Sequence, residues 1–109
     1  MDFNTIIGEK YLDFAQICEN HNVQKVYIFG SLAKGIFRVK ESDIDLLVSV
    51  DIENPLERGE ALLYLWDNLE KLFDIKVNLL TEDSLKNPYL KSSIYENMQL
   101  VYDREKILV

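Results

Sequence analysis

Three short runs rich in β-branched and aromatic residues set the terms of the fold: Val26-Tyr27-Ile28-Phe29, Ile44 to Val50, and Ile75 to Leu80. Each reads as a buried strand. The segments between and around them carry apolar residues at helical spacing instead. Strands buried by helices in alternation imply one small sheet covered by helices, an α/β or α+β domain. The chain of 109 residues is too short for two independent cores, so residues 1–109 are expected to form a single domain.

The helices announce themselves by stripes and caps. Phe3, Ile6, Ile7, Phe14 and Ile17 predict a helix over 3–20, capped by Asp2 or Asn4 and ended by Glu19-Asn20-His21-Asn22. Gly8 weakens its first turn by about 1 kcal/mol relative to Ala. The strand at Val26–Phe29 stops at Gly30-Ser31, a short helix or turn follows over 31–37, and 38–42 is a polar loop. Asn54 caps the next helix, with Pro55 at its first position and Glu57 placed to reach back to the cap. That helix should run to about Phe73 and bury Leu62, Leu65, Trp66, Leu69, Leu72 and Phe73. Thr81 caps a short turn, Asn87-Pro88 starts a helix bearing Ile94 and Tyr95, and Leu100-Val101-Tyr102 forms a short last strand.

Charge and cysteine content narrow the function. Twelve Lys and Arg against nineteen Asp and Glu give a net charge of −7, a poor balance for gripping a nucleic-acid backbone and a good one for a basic protein partner. The single cysteine, Cys18, excludes an internal disulfide framework. No apolar run is long enough to span a membrane, and the start Met-Asp-Phe-Asn lacks a signal-peptide n-region. The expectation is a cytoplasmic protein that binds neither membrane nor nucleic acid directly.

The residues that carry chemistry lie between 30 and 45. Asp43 and Asp45 are two apart at the start of a strand and therefore project side by side. Adjacent like charges need compensation. Mg²⁺ supplies it, since it takes oxygen ligands from one or two carboxylates together with substrate phosphates. Gly30-Ser31 ends a strand and enters a helical turn, where free backbone N–H groups favour a phosphate. Gly30 allows close approach of the backbone, and the Ser31 hydroxyl can donate to a phosphate oxygen. Lys34, Arg38 and Lys40 add local positive charge. Ser42, which opens the Ser42-Asp43-Ile44-Asp45 motif, is grouped with Gly30, Ser31 and Lys34 as phosphate-binding. A phosphate cradle facing a carboxylate pair is the equipment of nucleotidyl transfer.

The block Phe29-Gly30-Ser31-Leu32-Ala33-Lys34-Gly35, followed by Ser42-Asp43-Ile44-Asp45-Leu46-Leu47-Val48, resembles the minimal nucleotidyltransferase (MNT) group of the DNA polymerase β superfamily. The likeness extends to Lys76-Val77-Asn78-Leu79-Leu80-Thr81 and Ile94-Tyr95-Glu96. It implies the nucleotidyltransferase fold, a small mixed sheet with flanking helices. It implies metal carboxylates at Asp43 and Asp45, a phosphate corner at Gly30 and Ser31, and Mg²⁺, two ions with ATP or another nucleoside triphosphate. Many stand-alone MNT proteins of this size are antitoxins of HEPN-domain ribonuclease toxins, and some add AMP to a toxin tyrosine. Two departures stand out. The family's third carboxylate, which ligates a metal and helps deprotonate the attacking hydroxyl, falls on Asn78, which offers a carbonyl oxygen but no charge and no base. Asp74 lies four residues earlier, before the strand, and is not expected to substitute. Eleven residues separate Ser31 from Asp43, one more than usual, which should alter the 36–41 loop and leave the fold intact.

Three functions remain open on the sequence. The leading one is an antitoxin that transfers AMP from Mg-ATP to a HEPN toxin hydroxyl, with Asp43, Asp45 and, less securely, Asn78 as catalytic positions. The second keeps the fold, loses catalysis at Asn78 and neutralises its partner by contact. The third is a transferase acting on a small cationic molecule of the aminoglycoside kind. Among other residues, His21 reads as a helix-end residue near free carbonyls, Cys18 as a small buried hydrophobe, and Trp66 as core. One or two of Tyr11, Tyr64, Tyr89, Tyr95 and Tyr102 are expected to face a partner in a homo- or hetero-oligomer.

Overall fold

The computed structural model describes residues 2–107. Helix α1 (Phe3–Ile7), a 3₁₀ turn (Gly8–Lys10) and α2 (Tyr11–Asn20) lead into strand β1 (Val23–Phe29). Then come α3 (Gly30–Ala33), β2 (Ile44–Val50), α4 (Pro55–Phe73), β3 (Val77–Leu80) and a 3₁₀ turn (Glu82–Ser84). Helix α5 (Pro88–Asn97), β4 (Gln99–Asp103) and α6 (Arg104–Ile107) close the described chain. The four strands form one mixed sheet in the order β3-β2-β1-β4. β1 runs antiparallel to both β2 and β4, and β2 runs parallel to β3 through the α4 crossover.

The long helix matches its sequence signals. Asn54 Oδ1 accepts from the amides of Leu56 and Glu57, and Pro55 opens the helix. Among the described residues the Glu57 side chain makes no return bond to the cap. Asp2 caps α1 by accepting from Thr5 N, and Asn87 caps α5 in the same way through Tyr89 N and Leu90 N. The first helix departs from expectation. Gly8 takes φ 50° and ψ −124°, donates its N–H to Asn4 O and breaks the 3–20 helix into two. A conformation of that kind is open to glycine and strained for an L side chain.

β1 begins at Val23, three residues before the apolar run. A bulge between Val23 and Lys25 inserts Gln24 and breaks the alternation that would have revealed the strand. β3 begins at Val77, later than Ile75, because Asp74 ends α4 in the left-handed region at φ 54° and the chain needs Ile75 and Lys76 to turn.

Alternation along the strands divides the sheet into two faces. Val26, Ile28, Ile44, Leu46, Val48 and Val77 point to one face, under α2 and α4, and join the main core with Phe14, Leu65, Leu69 and Phe73. Phe14 is fully buried and packs edge-on or tilted against Phe3, Tyr11, Phe73 and Tyr102, with ring centroids 5.6–6.1 Å away. Tyr102 is therefore a core residue and unavailable to a partner. Cys18 is buried in the same core, and desolvation pushes its thiol up to about 12. His21 ends α2 with Nδ1 2.6 Å from Ile17 O, as a helix-end residue should. Trp66 corrects the stripe drawn for α4: it is 37% exposed at the rim of the sheet. Its Nε1 donates to Val77 O at 2.8 Å. Among the described residues no helix is long and apolar enough to cross a membrane.

Candidate active site

The opposite face of the sheet carries the polar residues. Asp45 lies in the row between Phe29 on β1, its antiparallel partner, and Asn78 on β3, its parallel partner. Asp43 lies one step before β2 on the same face. Asn78 Nδ2 donates to Asp45 Oδ1 at 2.9 Å and reaches Asp43 Oδ2 at 3.4 Å. The sheet register thus brings together three positions that the sequence separates by up to 35 residues. Asp74 is not among them; it caps α4 and is exposed.

Gly30 explains how Asp45 fits. It opens α3 at φ 66°, and a Cβ built there would fall on Asp45 Oδ2. The glycine therefore serves a carboxylate of its own chain as well as any ligand that approaches the corner. Burial raises the Asp45 carboxyl from its ordinary value; the Asn78 hydrogen bond counters this, and the Asp43 charge adds to it. Among the described residues neither Asp43 nor Asp45 has an ion-pair partner.

The remaining expected residues lie on α3 and in the loop that precedes β2. Ser31 lies in the first turn of α3, and its carbonyl accepts from Ile36 N. Ser42 Oγ accepts from Arg38 N at 3.0 Å, which folds the 38–42 loop back just ahead of the carboxylates. Lys34 ends α3 and is exposed. Arg38 is paired with Glu41 at 3.3 Å in an exposed ion pair, and Lys40 is exposed.

A depression of about 620 Å³ opens beside the row, lined by Phe29, Asp45, Trp66, Lys76, Asn78 and Leu80 among others. Trp66 and Lys76 were not singled out as site residues from the sequence. The pair Trp66 and Glu70, one helical turn apart on α4, clamps Val77: Trp66 Nε1 donates to its carbonyl, and Glu70 Oε2 accepts from its amide at 2.8 Å. That clamp fixes the strand position next to Asn78. Gln99 Nε2 on β4 donates to Ala33 O at 3.1 Å and ties down the end of α3. Nothing local in the sequence signals either contact.

The donor set suits a hard cation. Two adjacent carboxylates and an amide carbonyl supply oxygen only, and the absent Cβ at Gly30 leaves the space that Asp45 Oδ2 occupies. No group of three or more His, Cys, Asp or Glu side chains comes together among the described residues, so an ion held here would draw its remaining ligands from substrate or water.

Comparison with known proteins agrees with this geometry. The family profile described as a nucleotidyltransferase domain matches residues 14–101. A chain of Methanocaldococcus jannaschii described as a candidate protein adenylyltransferase is 40% identical over 80 residues, covering 73% of this chain and 78% of that one. The fold overlays a solved candidate minimal nucleotidyltransferase with a TM-score of 0.63 and 28% identity, covering 91% of this chain and 95% of the other. It overlays a toxin–antitoxin solved with AMP-PNP at a TM-score of 0.62 and 21% identity, covering 92% and 77%. A structure of a tri-AMPylated Shewanella oneidensis HEPN toxin in complex with an MNT antitoxin overlays at 0.51 and 19%, covering 89% and 72%. The last two likenesses concern the fold alone.

Proposed function

The chain belongs to the nucleotidyltransferase domain family, and from that premise we propose that residues 1–109 act as one minimal nucleotidyltransferase domain that transfers AMP from ATP to a hydroxyl of a HEPN-type toxin. The observation that carries this reading is the single row in which Asp45 faces Asn78, with Asp43 beside it and Gly30 against it. Support for the adenylyl group comes from the archaeal relatives, described as candidate protein adenylyltransferases. Support for the partner comes from the toxin–antitoxin complexes that share the fold. The net charge of −7 favours a basic partner surface.

In this reading Asp43 and Asp45 would hold Mg²⁺, with the carbonyl of Asn78 as a neutral third ligand once the amide is turned. The bound cation supplies charge neutralisation to the triphosphate. The amides at Gly30 and Ser31 and the Ser31 hydroxyl receive its phosphate oxygens, and the Ser42 hydroxyl hydrogen remains available to one more. The acceptor oxygen forms a bond to the α-phosphorus, the bond to the bridging oxygen breaks, and pyrophosphate leaves with that electron pair. Asn78 takes no proton, so the hydroxyl proton passes to water and transfer is slow. The test is to incubate the protein with Mg-ATP and a HEPN-domain partner and weigh the partner intact. A mass gain of AMP, lost with Asp43→Ala, supports the reading; an unmodified partner contradicts it.

One observation favours a second reading. With an amide where a base would stand, the fold can neutralise its partner by contact alone. A toxin inhibited equally by the wild type and by the Asp43→Ala/Asp45→Ala double variant supports this reading and removes the first.

A further inference from the structure

Asn78 is the sole hydrogen-bonding neighbour that the described residues provide to the Asp43 and Asp45 side chains. A carboxylate accepts and does not donate, so the amide turns its nitrogen toward the pair. The opposite orientation would set its oxygen against two other acceptors. A cation between the same carboxylates reverses this preference, because a hard divalent ion takes oxygen and repels the amide hydrogens. The backbone has little freedom to relieve the conflict. Val77, the preceding residue, is held at its amide by Glu70 and at its carbonyl by Trp66, both at 2.8 Å. β3 is also paired in register with β2 on either side of Asn78, at Val77 and at Leu79. The adjustment therefore falls on the side chain.

We propose that Asn78 is an amide latch: without a cation its Nδ2 closes the carboxylate pair, and entry of a divalent ion turns the amide over so that Oδ1 faces the ion. This rests on the reading of Asp43 and Asp45 as metal ligands. The latch lets the neutral side-chain amide donate to the carboxylates where a cation would otherwise lie. In the metal-free site the amide makes two hydrogen bonds to the carboxylates, and both would be given up when Oδ1 turns inward. Asn78 is thus a positioning residue that sets how readily the site fills. A carboxylate at this position would remove the hydrogen bonds, add a like charge to the metal-free pair and add a charged ligand to the filled one.

The experiment is a titration of ¹⁵N-labelled full-length protein with MgCl₂ alone, observed by NMR at the Asn78 side-chain NH₂ pair and at the backbone amides of Asp43 and Asp45. The same titration on Asn78→Asp, with thermal melting in chelator and in Mg²⁺, accompanies it. The Asn78 NH₂ signals should move toward the solvated range with the same midpoint as the two backbone amides. Asn78→Asp should bind Mg²⁺ roughly tenfold tighter or more, since ligand charge count tunes divalent affinity. It should also melt lower than wild type in chelator and regain stability when Mg²⁺ is added. Movement of the Asp43 and Asp45 amides with an unmoved Asn78 NH₂ pair overturns the latch and leaves the metal-ligand reading standing. Silence at all three positions in wild type, together with no Mg²⁺ response of Asn78→Asp by melting or NMR, overturns the metal-ligand reading and the latch with it. The wild-type titration decides the turnover of the amide even where the variant fails to fold.

Discussion

On one face of the sheet, Val26, Ile28, Ile44, Leu46, Val48 and Val77 meet the underside of α2 and α4 in a continuous apolar core. On the other, a smaller cluster of Phe29, Leu47, Leu85 and Ile94 covers only part of the surface, and the row beside it carries Asp45 and Asn78. The two faces are made by the same strands, one residue out of phase. The helical face holds the fold, and the half-covered face leaves room for charge, at a cost visible in the raised Asp45 carboxyl. The difference teaches how a small domain keeps a polar site on a rigid sheet: packing is concentrated behind the strands that present it.

The largest expected effect tests that division. Leu69→Ala, at a fully buried position of the main core, should destabilise by about 2–5 kcal/mol. Leu85→Ala, in the smaller cluster, should cost clearly less, measured by denaturant unfolding of both. Equal losses would break the comparison.

Glycines sharpen it next. Gly8→Ala and Gly30→Ala both place a side chain at positive φ, at roughly 1–2 kcal/mol each. The added Cβ meets open space at Gly8 and the Asp45 carboxylate at Gly30. Gly30→Ala should therefore lose more stability than Gly8→Ala and alone weaken Mg-nucleotide binding. Matching losses would mean that Asp45 moves aside freely.

How much of this was legible in the sequence follows from which signals are local. The α4 helix could be bounded at both ends because Asn54, Pro55 and the apolar stripe act within a few residues of one another. β2 was bounded correctly because Ile44 to Val50 is almost unbroken. The apolar run marks only the second half of β1, because the bulge at Gln24 interrupts the alternation before it and a bulge is set by the partner strand. Asp43 and Asp45 could be paired from spacing alone. Their contact with Asn78 could not, since it depends on the parallel register of β2 and β3 after a helical crossover. The rim position of Trp66 is not legible in the sequence, because its spacing is that of a core residue while its indole N–H donates to the β3 backbone.

Titration separates the two faces further. The Cys18 thiol is pushed up to about 12 by burial in the main core, from an ordinary value of 9.0. The unfolded chain then loses its proton first, so stability is fully present below pH 9 and falls between pH 9 and 12. One proton gives a slope of about 1.4 kcal/mol per pH unit. Cys18→Ala should remove that part of the alkaline slope in urea unfolding followed against pH, leaving the smaller share of Tyr11 and Tyr102, which burial also raises.

The smallest effect lies on the other face, with the same sign in an acidic window. Asp45 is raised above its unfolded value of 3.8 by burial, and Asp43 adds to it. Its ionisation therefore opposes folding as pH rises through that window, and the penalty is absent below pH 3.8. In chelator at pH 7, Asp45→Asn should melt above wild type, with the difference vanishing in acid. A lower melting temperature for the variant would show that the carboxylate stabilises the sheet and would erase the contrast between faces.

The central claim is that Asp43, Asp45 and the Gly30-Ser31 corner form one working nucleotide site. Calorimetric titration of the full chain with ATP, with and without Mg²⁺, tests it most directly, with Asp43→Asn/Asp45→Asn as the control. The account predicts Mg²⁺-dependent binding by wild type that the double variant loses. Binding that is indifferent to Mg²⁺ and unchanged in the double variant would contradict it.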